Sequence, residues 1–223
     1  YMNTDGTGWQ AMRTFLTSNI NAVGYYSPND YVVLARSSGG SVTIARMNPA
    51  NGANYSILDS FSGWGGNASG MAVNPSNGDV YTVRYNNHEV RKVGINGGTV
   101  STFSLPASTF PRDIYYDPTT DRLYVAGDNN FVVLETNGTQ VSSVTAPFTP
   151  NKVSFSNGYV YLTDSITGEL KRMNTAGTGV ETYTGEVGEQ FSGSATALFL
   201  KDGYLYVSDS GTSVVRTTAG GWT

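Results

Sequence analysis

Two carboxylates of this chain recur in one local setting. Asp164 stands in T-D-S and Asp209 in S-D-S, each just after an apolar run, 45 residues apart. Paired carboxylates can divide general acid and base between them, and glycosidase chemistry needs the two about 5 to 9.5 Å apart. Equivalent positions in successive repeats stand on separate sheets, so nothing in the sequence enforces that separation and a structural role is expected for both. His88, the single histidine, could act as a general base. Its N-N-H-E-V context reads as the polar start of an exposed strand, hence a surface imidazole. Around Ser69 the sequence G-W-G-G-N-A-S-G lacks the G-x-S-x-G spacing of a nucleophile elbow. G-D-N-N at 127–130 and Y-D-P-T-T-D at 116–121 offer oxygen donors without EF-hand order, and turn formation accounts for them. With no cysteine there is neither a thiolate metal site nor a disulfide. The expectation is therefore no catalytic residue, no metal and no cofactor.

Aromatic residues in the connecting segments are the stronger lead. Trp64 lies in S-F-S-G-W-G-G-N-A-S-G and Phe191 in G-E-V-G-E-Q-F-S-G-S-A-T, two long Gly-rich linkers. Exposed aromatics on loops stack against sugars or peptides, so these two are the candidate ligand-binding residues. Asn54, Asn67 and Asn137 each head an Asn-x-Ser/Thr sequon in a predicted turn or linker and are candidate glycosylation sites.

The elements that must position these residues follow from composition and repetition. Only 13% of the 223 residues are charged, against about 25% in ordinary soluble domains, and 27 are glycine. Such a weakly charged polar surface suits an extracellular or cell-surface protein. A net charge of −4 without a basic cluster excludes nucleic acid as a partner and disfavours anionic membranes. No run reaches the roughly 18 apolar residues that would cross a bilayer, so no membrane insertion is expected. The opening Y-M-N-T-D-G-T-G-W-Q has no basic n-region, as expected of a cleaved mature end or the edge of an excised domain.

Five apolar runs align at Val33, Tyr81, Tyr124, Tyr161 and Tyr206, spaced by 48, 43, 37 and 45 residues. That period is the one expected of propeller blades. Within each unit an apolar strand, a tight turn rich in Pro, Asn-Gly or Asp-Gly, a second apolar strand, a more polar third and an outer fourth succeed one another. Inner strands sandwiched between blades should be apolar and outer ones polar. No stretch holds a helical period. The predicted fold is all-β, a five-bladed β-propeller of four-stranded antiparallel blades in one domain, 1–223. Blades are expected at about 21–61, 70–105, 112–146, 151–185 and 195–223. M-N-T-D-G-T-G at 2–8 echoes M-N-T-A-G-T-G at 173–179. Residues 1–20 therefore read as the closing outer strand, with 9–17 completing the last blade. Docked instead on a neighbouring molecule, that strand would build a head-to-tail fibre.

The segment V-Y-L-T-D-S-I-T-G-E-L-K-R-M-N-T-A-G-T-G resembles the YWTD repeats of lipoprotein-receptor propellers, and M-A-V-N-P-S-N-G-D-V-Y-T-V is similar to YVTN and NHL-type repeats. The resemblance covers nearly the whole chain at the level of repeat style. It implies that Asp164 and Asp209, with Tyr161 and Tyr206, are structural motif residues whose threonine and aspartate positions tie strands together. The chain departs from it in having Leu162 and Val207 at the tryptophan position and five units where that family usually has six. Lactonase-like propellers hold a channel metal with carboxylates from several blades, but the first strands here offer only Asp113. The functional expectation is a non-enzymatic extracellular binding or adhesion module of a cell-surface or matrix protein, its partner a glycan or an extracellular protein. The alternative is a self-assembling structural subunit, of a fibre or surface layer, joined to copies of itself by terminal strand exchange. A lactonase- or lyase-like enzyme ranks last.

Overall fold

A computed structural model describes residues 19–48, 54–62, 70–183, 195–201, 204–209 and 214–217. Strands run in chain order as four-stranded antiparallel meanders. The first sheet holds β1 (Asn19–Tyr26), β2 (Tyr31–Ser38), β3 (Ser41–Met47) and β4 (Ser56–Ser62). The second holds β5 (Met71–Val73), β6 (Asp79–Arg84), β7 (Glu89–Gly94) and β8 (Ser101–Ser104). The third holds β9 (Pro111–Asp117), β10 (Arg122–Gly127), β11 (Asn130–Glu135) and β12 (Gln140–Thr145). The fourth holds β13 (Pro150–Ser156), β14 (Tyr159–Asp164), β15 (Leu170–Asn174) and the short β16 (Glu181–Thr182). A fifth has three strands among the described residues, β17 (Ala195–Lys201), β18 (Tyr204–Asp209) and β19 (Val214–Thr217). The segment expected to supply its outer strand, 9–17, lies outside the described residues, and so does the strand-exchange reading that depends on it.

Local chemistry sets the hairpins. In the β9–β10 turn the buried Asp117 carboxylate accepts from the backbone N–H of Thr119 and Thr120 at 3.2 and 3.1 Å and from both hydroxyls. This is an Asx turn that fixes the register of Tyr116 against Leu123. The second strands are apolar on both faces because both faces are covered: Leu123 and Val125 pack toward the second sheet, Tyr124 and Ala126 toward the fourth.

The gradient of burial differs from the expected one in one respect. The third strand β11 is buried at five of its six residues, because Val132 and Leu134 pack on the second sheet while Phe131 and Val133 pack on the fourth. Among the described residues the fourth strands β8 and β12 are largely exposed, and the first strand β1 is exposed at half of its residues. Successive sheets are joined face to face by separate apolar clusters. Val33 and Ile44 meet Val80 and Val93; Tyr81 and Val90 meet Ile114 and Leu123; Tyr124 meets Phe155 in a stack of 4.4 Å; Tyr161 and Leu170 meet Leu205 and Val207. Polar ties accompany them. Arg91 of β7 donates twice to the buried Asp59 of β4, at 2.9 and 3.1 Å. The first strands of neighbouring sheets pack side by side, β1 on β5, β5 on β9, β9 on β13 and β13 on β17, and so form the inner wall.

Candidate functional site at the linker end of the inner strands

In an up-and-down sheet the segment leading into the first strand and the turn from second to third strand lie at the same end. Hydrogen bonds hold them together here: Asp128 N–H donates to the Phe110 carbonyl at 3.2 Å, Ala146 N–H to Asn129 at 3.0 Å and Ser165 N–H to Thr149 at 2.9 Å. At this end a β-bulge recurs at the start of the inner strand. The residue left out of register is Asn21 in β1, Arg112 in β9, Asn151 in β13 and Thr196 in β17. A bulge re-aims the side chain it displaces, and the bulges of the first, third and fourth sheets bring Asn21, Arg112 and Asn151 to one mouth of the inner wall. No shared sequence signal announced them, since Asn21 and Thr196 stand between apolar residues whereas Arg112 and Asn151 each precede a second polar residue.

Arg112 uses that freedom to pair through Nε with the Asp128 carboxylate, which also accepts from the Tyr85 hydroxyl. That hydrogen bond is the main reason the Tyr85 hydroxyl titrates above its ordinary range. Phe110 stands beside this group, 5.2 Å from the Tyr85 ring and edge-on to His88 at 4.4 Å. His88 adopts left-handed backbone, φ 52°, and is half-buried with Nδ1 2.7 Å from the Thr109 carbonyl. It is therefore a packed imidazole anchoring the linker and not the free surface residue expected. Asp113 follows the bulge, and its Oδ2 accepts from the Val153 N–H of the next sheet at 3.1 Å. Burial pushes its pKa up, against the opposing pull of Lys152 and of the Val153 and Ile114 backbone N–H groups.

One sheet further on, the same end carries a cavity of about 360 Å³. Its apolar side is formed by Phe148, Ile166 and Val180, and its polar side by Thr167, Glu169 and Lys171. Ile166 is 77% exposed. Lys171 Nζ lies 5.6 Å from the centre of the Phe148 ring and pairs with Glu169 at 2.7 Å, which holds the Glu169 carboxyl below its usual range. Asp164 borders the cavity, yet both of its oxygens are engaged: Oδ1 accepts from Ile166 N–H and Oδ2 from the Thr167 hydroxyl, each at 2.9 Å. Thr163 beside it accepts from Lys152 N–H at 3.1 Å. Tyr161 is buried against the fifth sheet. Tyr206 is half-buried opposite Phe199, and Asp209 ends β18 opposite Ala195.

Of the aromatic candidates, Trp64 and Phe191 lie outside the described residues, as does Asn67. Asn54 is exposed with φ 55°. Asn137 is exposed in the β11–β12 turn, where its Oδ1 accepts from Thr139 N–H at 2.8 Å. Phe110 and Phe148 were not singled out from the sequence, although a signal existed. Each of the first three linkers holds a single aromatic residue, Trp64, Phe110 and Phe148 in order, and the fourth holds Tyr183 and Phe191. Among the described residues no group of three His, Cys, Asp or Glu side chains could hold a metal ion. No described helix is long and apolar enough to cross a membrane.

The chain is similar to the nidogen/laminin complex structure over 88% of its length and 74% of that chain, at 17% identity and TM-score 0.70. The chain is a β-propeller. It also resembles catalytically inactive virginiamycin B lyase from Staphylococcus aureus, solved with quinupristin, at 13% identity and TM-score 0.65. A luciferin-regenerating enzyme matches at 12% identity and TM-score 0.51. The chain covers 87% of its own length but only 64% of that lyase chain, and 67% of its own length but 54% of the luciferin-regenerating chain. No family model and no curated protein matches the sequence. At these identities the likeness concerns the fold, which binding proteins and enzymes share. The five sheets are its blades, and the bulged end is the mouth onto which the linkers open.

Proposed function

We propose that this propeller is a non-enzymatic extracellular binding module, and that its ligand, a glycan or an extracellular protein, docks on the linker face. The observation that carries this reading is the cavity beside Phe148, where an aromatic ring, an exposed Ile166 and a Lys171–Glu169 pair meet at one mouth. It is an apolar recess with a few convergent polar groups, which is how binding sites are built. The acidic groups nearby are committed elsewhere. Asp128 is held by Arg112 and Tyr85, and Asp164 by its own loop, so neither is poised as a base. Trp64 and Phe191, in the linkers before the second and fifth blades, belong to the same proposed surface. Asn54 and Asn137, both exposed in connecting segments, are the proposed glycan acceptors.

The test is a glycan and matrix-protein binding screen with the full chain, repeated with Phe148→Ala and Ile166→Ser. Loss of about 2 kcal/mol at a central contact weakens binding roughly thirtyfold. Binding that falls by that order in both variants, with unchanged circular dichroism, supports the proposal. Binding that survives both, or no binding to any glycan or matrix protein, overturns it. Turnover of a lactone or of quinupristin would overturn its non-enzymatic part.

A further inference from the structure

The cavity beside Phe148 is narrower in its chemistry than a general apolar recess, because most of its polar groups are already engaged. Lys171 has its ammonium over the Phe148 ring, 2.7 Å from Glu169 Oε2 and 3.2 Å from the Thr182 hydroxyl, and its side chain is only 13% exposed. Little of it is left for an anionic ligand. Phe148 is half-buried against the core cluster around Tyr124, so with Lys171 over it the ring serves as wall and not as a bare platform for a sugar. What stays open is aliphatic: Ile166 is 77% exposed and Val180 38%, with Pro147 on the same lining.

One polar atom at this mouth is unused. The two groups that donate to the Glu169 carboxylate, Lys171 Nζ and the Thr167 hydroxyl, both reach Oε2, which leaves Oε1 open on a side chain that is 44% exposed. The same two bonds hold the carboxyl below its usual range, so it is ionised at neutral pH. Asp164 and Glu169 set two carboxylates against the one ammonium of Lys171 around the cavity, in a chain of net charge −4. A cation is therefore favoured there over an anion. At about 360 Å³ the space lies at the small end of ligand pockets, which run from about 300 to 1,000 Å³, and suits a side chain better than a branched oligosaccharide. We propose that the occupant is an extended segment of a protein partner that seats an aliphatic side chain on Ile166 and Val180 and brings a lysine or arginine to Glu169 Oε1. This rests on the reading of the linker face as the binding surface and narrows its two ligand classes to one. In an extended segment side chains two residues apart lie on one side, so the shortest unit recognised is an aliphatic residue, any residue and a cation.

The experiment is an NMR titration of the isotope-labelled full chain with three N-acetylated, C-amidated peptides: Ala-Leu-Ala-Lys-Ala, Ala-Leu-Ala-Glu-Ala and Ala-Ser-Ala-Lys-Ala. The first is expected to move the amide signals of Ile166, Thr167 and Lys171 and to saturate. Serine in place of leucine should weaken binding about tenfold, since burial of the aliphatic side chain is lost. Glutamate in place of lysine should weaken it about fivefold, the size of a half-exposed ion pair. Glu169→Gln keeps an oxygen for Lys171 and Thr167, and should abolish the preference for lysine over glutamate while leaving that for leucine over serine. Peptides that move no signal at the cavity at millimolar concentration overturn the proposal. Equal binding of the lysine and glutamate peptides overturns it too, as does a preference that survives Glu169→Gln; if that variant does not fold, the peptide series on the parent chain decides alone. A glycan that binds the parent and is lost in Phe148→Ala and Ile166→Ser, with no peptide bound, overturns this proposal and leaves the linker-face reading standing. Failure of glycans, matrix proteins and peptides together removes both.

Discussion

Burial works against the ionised form of Asp113. The pKa of an ordinary aspartate lies near 3.9, and enclosure raises that of Asp113 because the charged form loses its water. A carboxyl whose folded pKa exceeds its unfolded value binds more protons folded than unfolded. Its contribution to stability therefore falls as pH rises from about 4 through the raised folded value, and stays at its lowest above that. Asp113→Asn keeps an oxygen to accept the Val153 N–H and removes the ionisation. The variant is expected to gain on the parent as pH rises from 4 to 8, when urea midpoints of both are compared across that range. A gap that does not change with pH would mean that Asp113 is solvated. The other notable aspartates show how far residue-level reading reaches. The T-D-S setting of Asp164 suggested a structural residue tying strands together, and its carboxylate accepts from Ile166 N–H and the Thr167 hydroxyl of its own loop. The Arg112–Asp128–Tyr85 group was illegible, because it is assembled by a bulge and joins positions 16 and 43 residues apart.

At the level of elements, the linkers are fixed by close approach as well as by hydrogen bonds. Gly70 ends the linker into the second blade, and its carbonyl accepts from Val83 N–H at 3.3 Å. A Cβ on Gly70 would fall 2.4 Å from the Asp113 Cα and 2.7 Å from the Ile114 nitrogen. Both neighbours are backbone of β9 and cannot rotate aside. Gly70→Ala is therefore expected to cost about 1–3 kcal/mol through displacement of the β5–β9 contact, read as a lower urea midpoint. A loss below about 0.5 kcal/mol would show that the linker yields freely. The sequence placed Gly70 in a linker but could not show why a glycine stands there, since the constraint comes from a strand 43 residues away. The strands were more legible than the linkers. Their signal, apolar runs closed by Pro, Asn-Gly and Asp-Gly turns, is local and repeats. Burial of the third strand was legible and missed, since Phe131, Val132, Val133 and Leu134 form the unbroken apolar run of a strand covered on both faces.

On the scale of the whole molecule, stability in a series of repeats is the sum of what each unit holds alone and what it shares with its neighbours. The third and fourth blades have apolar joints on both sides, Tyr81–Tyr116 to one side and Tyr124–Phe155 within, then Tyr161 with Leu205 beyond. Among the described residues the first blade shows its joint to the second and the fifth its joint to the fourth, and in their inner strands Val23, Tyr25 and Phe199 are exposed. Inner strands whose apolar side chains face water have fewer buried contacts to break than strands enclosed on both faces. Hydrogen exchange should follow this order, slowest in β10, β11 and β14 and markedly faster in β1 and β17, since local opening costs less where fewer buried contacts must be broken. The comparison is made by mass spectrometry on the intact chain. Equal protection in β1 and β10 would mean that the ring behaves as one cooperative unit.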